Sequence, residues 1–206
     1  MDDEDRSYLF RFLGYGNPAS PLWFVGIEEG GEQGQLPVRG AHRPIELPSG
    51  RYFHDPKLPT IPSDARPWRI WRKYRDIAER AGTGSNYFIS NMAPLGRPST
   101  NVKLMGVDGA SYRDRVRRER IPALRELAGQ FQPRAIVFHG SGAWRDYQVR
   151  ESFGVDLQKG QIQFCDEQRL LFTPFLTQGL SNADQDRVVE ILKGWMDAPQ
   201  SSLEAK

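Results

Sequence analysis

The chain has 206 residues, a length that favours one domain, and its 28 Lys and Arg against 26 Asp and Glu give a formal net charge of +2. This balance excludes a strongly polybasic, histone-like protein and an acidic solvating tail. Aromatic residues make up 11% of the chain, which excludes global disorder, and its single cysteine excludes an intramolecular disulfide and a multi-cysteine zinc site.

No segment of the sequence is typical of a membrane span or of an export signal. The longest apolar run, from Leu22 to Ile27, is far shorter than the roughly 18 residues that a membrane span needs. The acidic start of the chain is the opposite of the basic start of a signal peptide. We therefore expect a cytoplasmic protein with no membrane partner.

In chain order, the hydrophobic pattern predicts alternating helices and strands. Helices are predicted over 3–13, 68–81, 112–127 and 143–152 and after a cap at Ser181 or Asn182, and strands are predicted over 21–26, 86–90, 134–138 and 169–172. Two alternatives are predicted for residues 161–164. They either form a hairpin with the strand over 169–172 or are the irregular beginning of that single strand. This alternation favours a single three-layer α/β/α domain with a mainly parallel, four-stranded sheet.

Two breaks in the pattern shape these expectations. Residues 27–67 are rich in Gly and Pro and show little periodicity, which predicts a long loop. Its histidines, His42 and His54, have no second ligand at metal spacing, so the sequence predicts no metal. Pro122 is expected to kink or divide the helix over 112–127.

Each of the four predicted strands is followed by a loop that contains polar side chains able to bind a ligand or take part in catalysis. In a doubly wound sheet, ligands bind outside the carboxyl ends of the strands, near the point where the strand order reverses. The loops over 26–31, 91–100, 139–142 and 173–181 would bring together two carboxylates, a carboxamide, an imidazole and several hydroxyls. We therefore predict a small binding site at this edge.

The order of these loops along the chain and their amino-acid sequences resemble those of the uracil-DNA glycosylase superfamily. The segment from Trp23 to Gly30 is similar to the first strand and loop of that family, and Tyr87 to Pro94 is similar to its second motif. Ala135 to Gly140 is similar to its third strand. Leu171 to Ser181 stands where the family has a His-Pro-Ser or Asn-Pro-Ser loop. The resemblance implies the family's fold and the recognition of a nucleobase in DNA, with cleavage of its N-glycosidic bond.

The resemblance also implies roles for individual residues. The Asn91 carboxamide would read the base edge, and Phe88 or Phe175 would offer an aromatic surface. His139, from its own place at a strand end, is a further candidate for a donor in the pocket. Glu28 and Glu29 stand where the family positions its catalytic water, and a carboxylate there is competent to orient or deprotonate water. Each of these residues also has a purely structural alternative. The two glutamates are typical of a solvated acidic turn, Asn91 of a turn cap, and His139 of a buried structural histidine.

The last loop departs from the family. Thr173 stands at or beside the place of the family's His, so a hydrogen-bond donor for the departing base is missing. Thr177 and Ser181 are the other hydroxyls predicted for this part of the site. The missing His favours an alternative, a non-catalytic member that binds nucleic acid or a protein. A third hypothesis is an unrelated small-molecule hydrolase that uses the two glutamates and His139.

Basic residues suggest where a nucleic acid would lie. Arg97 and Ser99 in the second loop, and Arg117 and Arg118 in the densest basic stretch, are the predicted contacts, although that stretch is equally typical of a solvated helix face. A second basic stretch over 66–75 is interleaved with tryptophans. The expected partner is DNA or a nucleotide, no cofactor is predicted, and the oligomeric state stays open.

Overall fold

The computed structural model describes residues 10–27, 44–48, 50–54, 69–94, 109–140, 147–155 and 161–199. Within these ranges the chain forms a mixed α/β fold around a mostly parallel, five-stranded sheet. None of the described helices is long and apolar enough to cross a membrane.

The strands and helices follow one another in this order along the chain. The strands are β1 (Leu22–Gly26), β2 (Pro44–Glu46), β3 (Tyr52–His54), β4 (Tyr87–Asn91), β5 (Ala135–His139), β6 (Gln163–Cys165) and β7 (Leu170–Thr173). The helices are α1 (Arg69–Arg80), α2 (Gly109–Arg115), α3 (Ile121–Phe131), α4 (Val149–Phe153) and α5 (Asn182–Asp197). A π-helical turn (Val116–Arg120) joins α2 to α3.

The main sheet has the order β4-β1-β5-β7-β6. β1 pairs in parallel with both β4 and β5, and β5 pairs in parallel with β7, whereas β6 is an antiparallel edge strand against β7. The four-stranded sheet predicted from the sequence therefore has to be corrected to five strands. The fifth strand, β6, was predicted only as one of two alternatives, because Gln163, Phe164 and Cys165, which are all half-buried, form no apolar run. Of the two alternatives for residues 161–172, the hairpin is confirmed.

Alternating side chains of β1 pack into two separate cores. Trp23 and Val25 pack with residues of the π-helical turn, α3 and α4, on what we call the α3 face. Leu22 and Phe24 pack with residues of α1 and α5, on what we call the α5 face. Because successive strand side chains point to opposite faces, the sheet lies between two helical layers. The helices predicted over 68–81 and after Ser181 are confirmed by α1 and α5.

The helix around Pro122 is continuous. Pro122 lies in the first turn of α3, where a proline is tolerated, and the distortion is the π-helical turn just before it. There the N–H of Ile121 bonds to the carbonyl of Val116, five residues back. The wider turn changes the rotation of the helix, and Arg120 becomes buried with only 2% of its surface exposed.

Part of the segment predicted as a long loop is ordered as a β-hairpin. β2 and β3 pair in antiparallel fashion within residues 27–67. An ion pair between Arg51 and Glu126 ties this hairpin to α3, and Leu47 packs against the core of the α3 face. The remainder of the segment, apart from residues 27, 47, 48, 50 and 51, lies outside the described residues.

The outer edge of β4 is covered by the start of the described chain. The Tyr15 N–H donates to the Ile89 carbonyl at 2.8 Å, and the Ile89 N–H donates to the Tyr15 carbonyl at 3.0 Å. Gly14 allows this close approach, because a Cβ there would collide with the Ile89 carbonyl and the Phe88 ring. The segment thus completes the backbone pairing of Ile89.

Candidate functional site

Four residues end the parallel strands in one row across the sheet. They are Gly26 of β1, Asn91 of β4, His139 of β5 and Thr173 of β7. Gly26 pairs with Asn91 and His139 with Thr173, and the pairing of Val25 with Phe138 brings Gly26 alongside His139. The chain continues from β1 to β4 on one side and later returns to β5 on the other. The row therefore lies where the strand order reverses, the place where α/β sheets bind ligands.

Gly26 leaves room for two of its neighbours. A Cβ at this position would lie 2.8 Å from Asn91 Oδ1 and 3.2 Å from His139 Cε1. The carboxamide and the imidazole therefore converge over the glycine backbone. We call Gly26, Asn91, His139 and Tyr74 the strand-end cluster. It lies on the α5 face, because Gly26 continues the alternation of Leu22 and Phe24.

His139 is buried and neutral. Only 3% of its surface is exposed, and its Nε2 atom is hydrogen-bonded to the Tyr74 hydroxyl at 2.7 Å. Burial lowers the pKa of His139 from 6.5 to about 3, and burial also raises the pKa of Tyr74 above its usual range. Among the described residues, the buried Nδ1 atom of His139 has no hydrogen-bond partner. The Tyr74 ring is itself stacked on Phe24, with 4.7 Å between the ring centroids.

Asn91 has a fixed backbone and an available side chain. Its carbonyl accepts a hydrogen bond from Arg120 Nε at 3.0 Å, and the N–H of the next residue, Met92, donates to the Gly26 carbonyl at 2.8 Å. The Asn91 side-chain amide makes no hydrogen bond with any described residue, and the residue is half-buried. The carboxamide is therefore positioned by the backbone, and its hydrogen-bonding groups are not used by the described residues.

Arg120, on the α3 face, fixes the backbone at the end of β4. Its guanidinium donates to the carbonyls of Phe12 and Leu13 and, at 3.1 Å, to the Ser90 hydroxyl. Together with the bond to Asn91, these contacts join the start of the described chain to the end of β4. Sequence reasoning missed this role, because Arg120 stands in a run of arginines that is typical of a solvated helix face.

The three predicted hydroxyls of the last loop lie in different surroundings. Thr173 is buried in the strand-end row, and its hydroxyl donates to the Pro174 carbonyl at 2.8 Å. Ser181 caps α5, where its oxygen accepts from the Asp184 N–H at 3.1 Å and its hydroxyl donates to the Asp184 carboxylate at 2.7 Å. Thr177 is half-buried and lines a separate cleft. The structure therefore does not bring these hydroxyls to one point.

That cleft lies between α1 and the start of α5, and we call it the α1–α5 cleft. Its volume is about 390 Å³. Its lining residues are Arg69, Arg72, Lys73, Asp76, Leu176, Thr177, Asn182 and Gln185. Lys73 joins the two helices by donating to Gln185 Oε1 at 2.7 Å. The sequence showed the basic stretch of α1, but no local signal paired it with a loop about a hundred residues later.

The other predicted site residues lie elsewhere. Phe88 is fully buried on the α3 face, 5.0 Å from Trp23 between ring centroids, and so points away from the strand-end cluster. Arg117 forms an ion pair with Asp114 at 3.0 Å, and Arg118 is exposed, on the helical layer of the α3 face. The predicted residues Glu28, Glu29, Arg97 and Ser99 lie outside the described residues.

No family model matches this chain, and no curated protein matches it significantly.

Proposed function

We propose that this protein recognises a nucleobase in DNA at the strand-end cluster, as a divergent member of the uracil-DNA glycosylase superfamily. The observation that carries the proposal is the convergence of the Asn91 carboxamide and the His139 imidazole over Gly26, where the strand order reverses. The sequence motifs that resemble the family lead into this same corner of the sheet.

The chemistry of the cluster suits the edge of a base. A carboxamide offers two N–H donors and one carbonyl acceptor, so it complements a pyrimidine edge that presents a carbonyl beside an N–H. Arg120 fixes the Asn91 backbone, which reduces the freedom that the carboxamide loses on binding. The neutral His139 ring contributes hydrogen bonding without a charge.

Cleavage of the N-glycosidic bond would require an activated water. Glu28 and Glu29 follow β1 in sequence after one residue, Ile27, and a carboxylate at this position would orient or deprotonate that water as positive charge develops on the sugar. In the proposed reaction the departing base would receive hydrogen bonds from Asn91.

The non-catalytic alternative is favoured by one observation at the last strand. Thr173 stands at or beside the place of the family's His, and its hydroxyl already donates to the Pro174 carbonyl. A protein of this kind would bind the base and leave it attached. A hydrolase that uses His139 as its general base is disfavoured, because a group with a pKa of about 3 is a weak base at neutral pH.

The test combines binding and cleavage assays. Duplex and single-stranded oligonucleotides that carry uracil, hypoxanthine or xanthine are compared with otherwise identical unmodified ones. Asn91→Asp replaces the N–H donors with an acceptor-only group, so binding of the modified oligonucleotides should fall about fivefold to 150-fold, which corresponds to ~1–3 kcal/mol. The melting temperature should stay near the parental value.

Asn86→Asp is the matched control. Asn86 lies just before β4, at the opposite end of the strand, and its Oδ1 accepts a hydrogen bond from Ser20 that an aspartate would also accept. The control adds the same negative charge and should bind as the parent does. Equal binding by the Asn91→Asp and Asn86→Asp proteins would overturn the proposal, and so would a parent that does not distinguish the modified oligonucleotides.

Cleavage is assigned by a further variant. If the parent releases a base, Glu28→Gln should slow the chemical step while sparing binding, because it removes the carboxylate and keeps the size of the side chain. Release at the parental rate would remove Glu28 from the mechanism. Binding without release identifies the non-catalytic alternative.

A further inference from the structure

The α1–α5 cleft opens at the same edge of the sheet as the strand-end cluster. α1 precedes β4 by a short connection and α5 follows β7, so the N-terminal ends of both helices lie near the carboxyl ends of the strands. Lys73 lines the cleft, and the next residue, Tyr74, contacts His139 on the inner side of the same helix. The cleft is therefore a neighbour of the candidate base site, with its own lining.

The cleft carries excess positive charge. Its one acidic lining residue, Asp76, is compensated, because Lys73 Nζ lies 3.8 Å and Arg80 Nη1 lies 3.9 Å from its carboxylate. Arg69 and Arg72, in contrast, form no ion pair with any described residue. The positive charges of these two guanidinium groups are therefore not compensated by the described residues of the cleft.

The acids at the start of α5 do not cancel this excess. Asp184 is held by the capping box with Ser181, and Asp186 forms an ion pair with Arg80. Neither aspartate lines the cleft. Both aspartates therefore have partners of their own.

The geometry of the lining suits a tetrahedral oxyanion. Arg69 and Arg72 are three residues apart on one helix and so lie on the same side, where a guanidinium can donate two parallel hydrogen bonds to one phosphate. Thr177 adds a hydroxyl on the opposite wall. Asn182 begins the 16-residue helix α5, whose capping box uses the Asp184 N–H and leaves the two preceding amides for another acceptor.

We propose that the α1–α5 cleft binds a phosphate group, with Arg69 and Arg72 as its cationic contacts and Thr177 and Asn182 as neutral donors. A volume of about 390 Å³ lies within the range of small-ligand sites, about 300–1,000 Å³, and leaves room for a sugar beside the phosphate. The phosphate belongs either to a nucleic-acid backbone or to a free nucleotide. Phosphate binding here does not depend on nucleobase recognition by Asn91.

The test compares two double variants with equal loss of charge. Arg69→Gln/Arg72→Gln removes the cationic contacts of the cleft. Arg75→Gln/Arg187→Gln removes two exposed arginines from α1 and α5 that do not line the cleft. All four positions are exposed, so both proteins should keep the parental melting temperature.

Three probes distinguish the sources of phosphate. Inorganic phosphate and thymidine monophosphate are titrated while the backbone amide signals of Thr177 and Asn182 are followed by NMR. A single-stranded oligothymidine is titrated by fluorescence anisotropy at several salt concentrations. We expect the Arg69→Gln/Arg72→Gln protein to bind at least one probe at least tenfold more weakly than the parent, and the control to bind within twofold. For the oligonucleotide, the slope of log K against log salt should fall by about 0.7 for each phosphate that the variant no longer neutralises.

The pattern of weakened binding identifies the ligand or overturns the proposal. Weaker binding of all three probes identifies a site for free phosphate, and weaker binding of the oligonucleotide alone identifies a site for the nucleic-acid backbone. Equal weakening in the two double variants, or unchanged binding of every probe, would overturn the proposal. The Asn91→Asp protein should bind inorganic phosphate as the parent does, so that failure of nucleobase recognition and failure of the cleft give different results.

Discussion

Two buried polar side chains at the same edge of the sheet have opposite surroundings. On the α3 face, every guanidinium nitrogen of Arg120 donates a hydrogen bond, and most of its acceptors are backbone carbonyls. On the α5 face, His139 is bonded to Tyr74 through Nε2, while its Nδ1 atom finds no partner among the described residues. A buried donor group whose acceptors are all in place stabilises the fold, whereas a buried atom without a partner leaves the hydrogen bonding of the fold incomplete.

The largest effect should come from removing the matched group. Arg120→Met keeps an unbranched side chain but removes the guanidinium that donates to the carbonyls of Phe12, Leu13 and Asn91, of which the Leu13 carbonyl keeps the hydroxyl of Ser90 as a second donor. We expect the free energy of unfolding to fall by about 3–5 kcal/mol, because each buried acceptor left unsatisfied costs ~1–3 kcal/mol and the costs are not additive. Urea denaturation measures this decrease. A decrease below about 1 kcal/mol would mean that water replaces the guanidinium, and the contrast between the two faces would disappear.

The second effect is a pH dependence that belongs to His139. Below pH 6.5 the unfolded chain binds a proton on this imidazole, whereas the folded chain does not bind it until about pH 3. Stability from this group is therefore fully present above pH 6.5 and is lost as the pH falls from 6.5 toward 3. Between about pH 6.5 and about pH 4.5 the decrease should be about 2–3 kcal/mol, since one pH unit corresponds to ~1.4 kcal/mol.

The His139→Gln protein isolates that contribution. Its unfolding free energy should fall with acid by about 2–3 kcal/mol less than that of the parent over the same range, because the carboxylates of the two proteins titrate alike. Denaturant melts at each pH measure both slopes. Parallel curves for the two proteins would show that His139 takes up its proton in the folded state near its ordinary pKa.

A smaller effect is expected where the strand-end cluster is crowded. Gly26→Ala places a Cβ 2.8 Å from Asn91 Oδ1, so the carboxamide must move. We expect a stability decrease of about 1–2 kcal/mol and, under the proposed function, a loss of nucleobase binding at least as large as that of Asn91→Asp. Gly194→Ala in α5 is the control, because its Cβ would meet nothing within 4 Å and it should stabilise the helix by ~0.5–1 kcal/mol. Unaltered binding by the Gly26→Ala protein would separate this corner from the ligand.

The smallest effect tests a residue that sequence reasoning placed in the site. Ser181→Ala removes the capping box of α5 and should cost about 1 kcal/mol of stability without changing the affinity for oligonucleotides. Thermal melting and anisotropy titrations on the same preparation check both parts. Weaker binding at unchanged stability would assign Ser181 to ligand contact instead.

The sequence predicted those helices and strands that depend only on neighbouring residues, such as an apolar stripe or a helix cap. The stripe of Ile77 and Ala78 on α1 and the Ser181 cap of α5 can be recognised from neighbouring residues, and the parallel topology placed Asn91 and His139 at one edge. The bond between Tyr74 and His139 was not predictable, because 65 residues separate the partners and Tyr74 has the spacing of an ordinary core position. The inward turn of Arg120 depends on a π-helical turn that shifts the helix by a fraction of a turn, and helical periodicity does not indicate such a shift.

The covered edge of β4 affects the tendency of the protein to aggregate. An edge strand with free N–H and C=O groups is a template for strand addition by another chain. Here the Tyr15 backbone takes both hydrogen bonds of Ile89, and Arg120 anchors the residues just before it through Phe12 and Leu13. The segment from Phe12 to Tyr15 therefore covers the β4 edge of the sheet at Ile89, whereas β6 forms the opposite edge. A version of the chain shortened past this point would expose β4 and should aggregate through it, even where the rest of the fold remains intact.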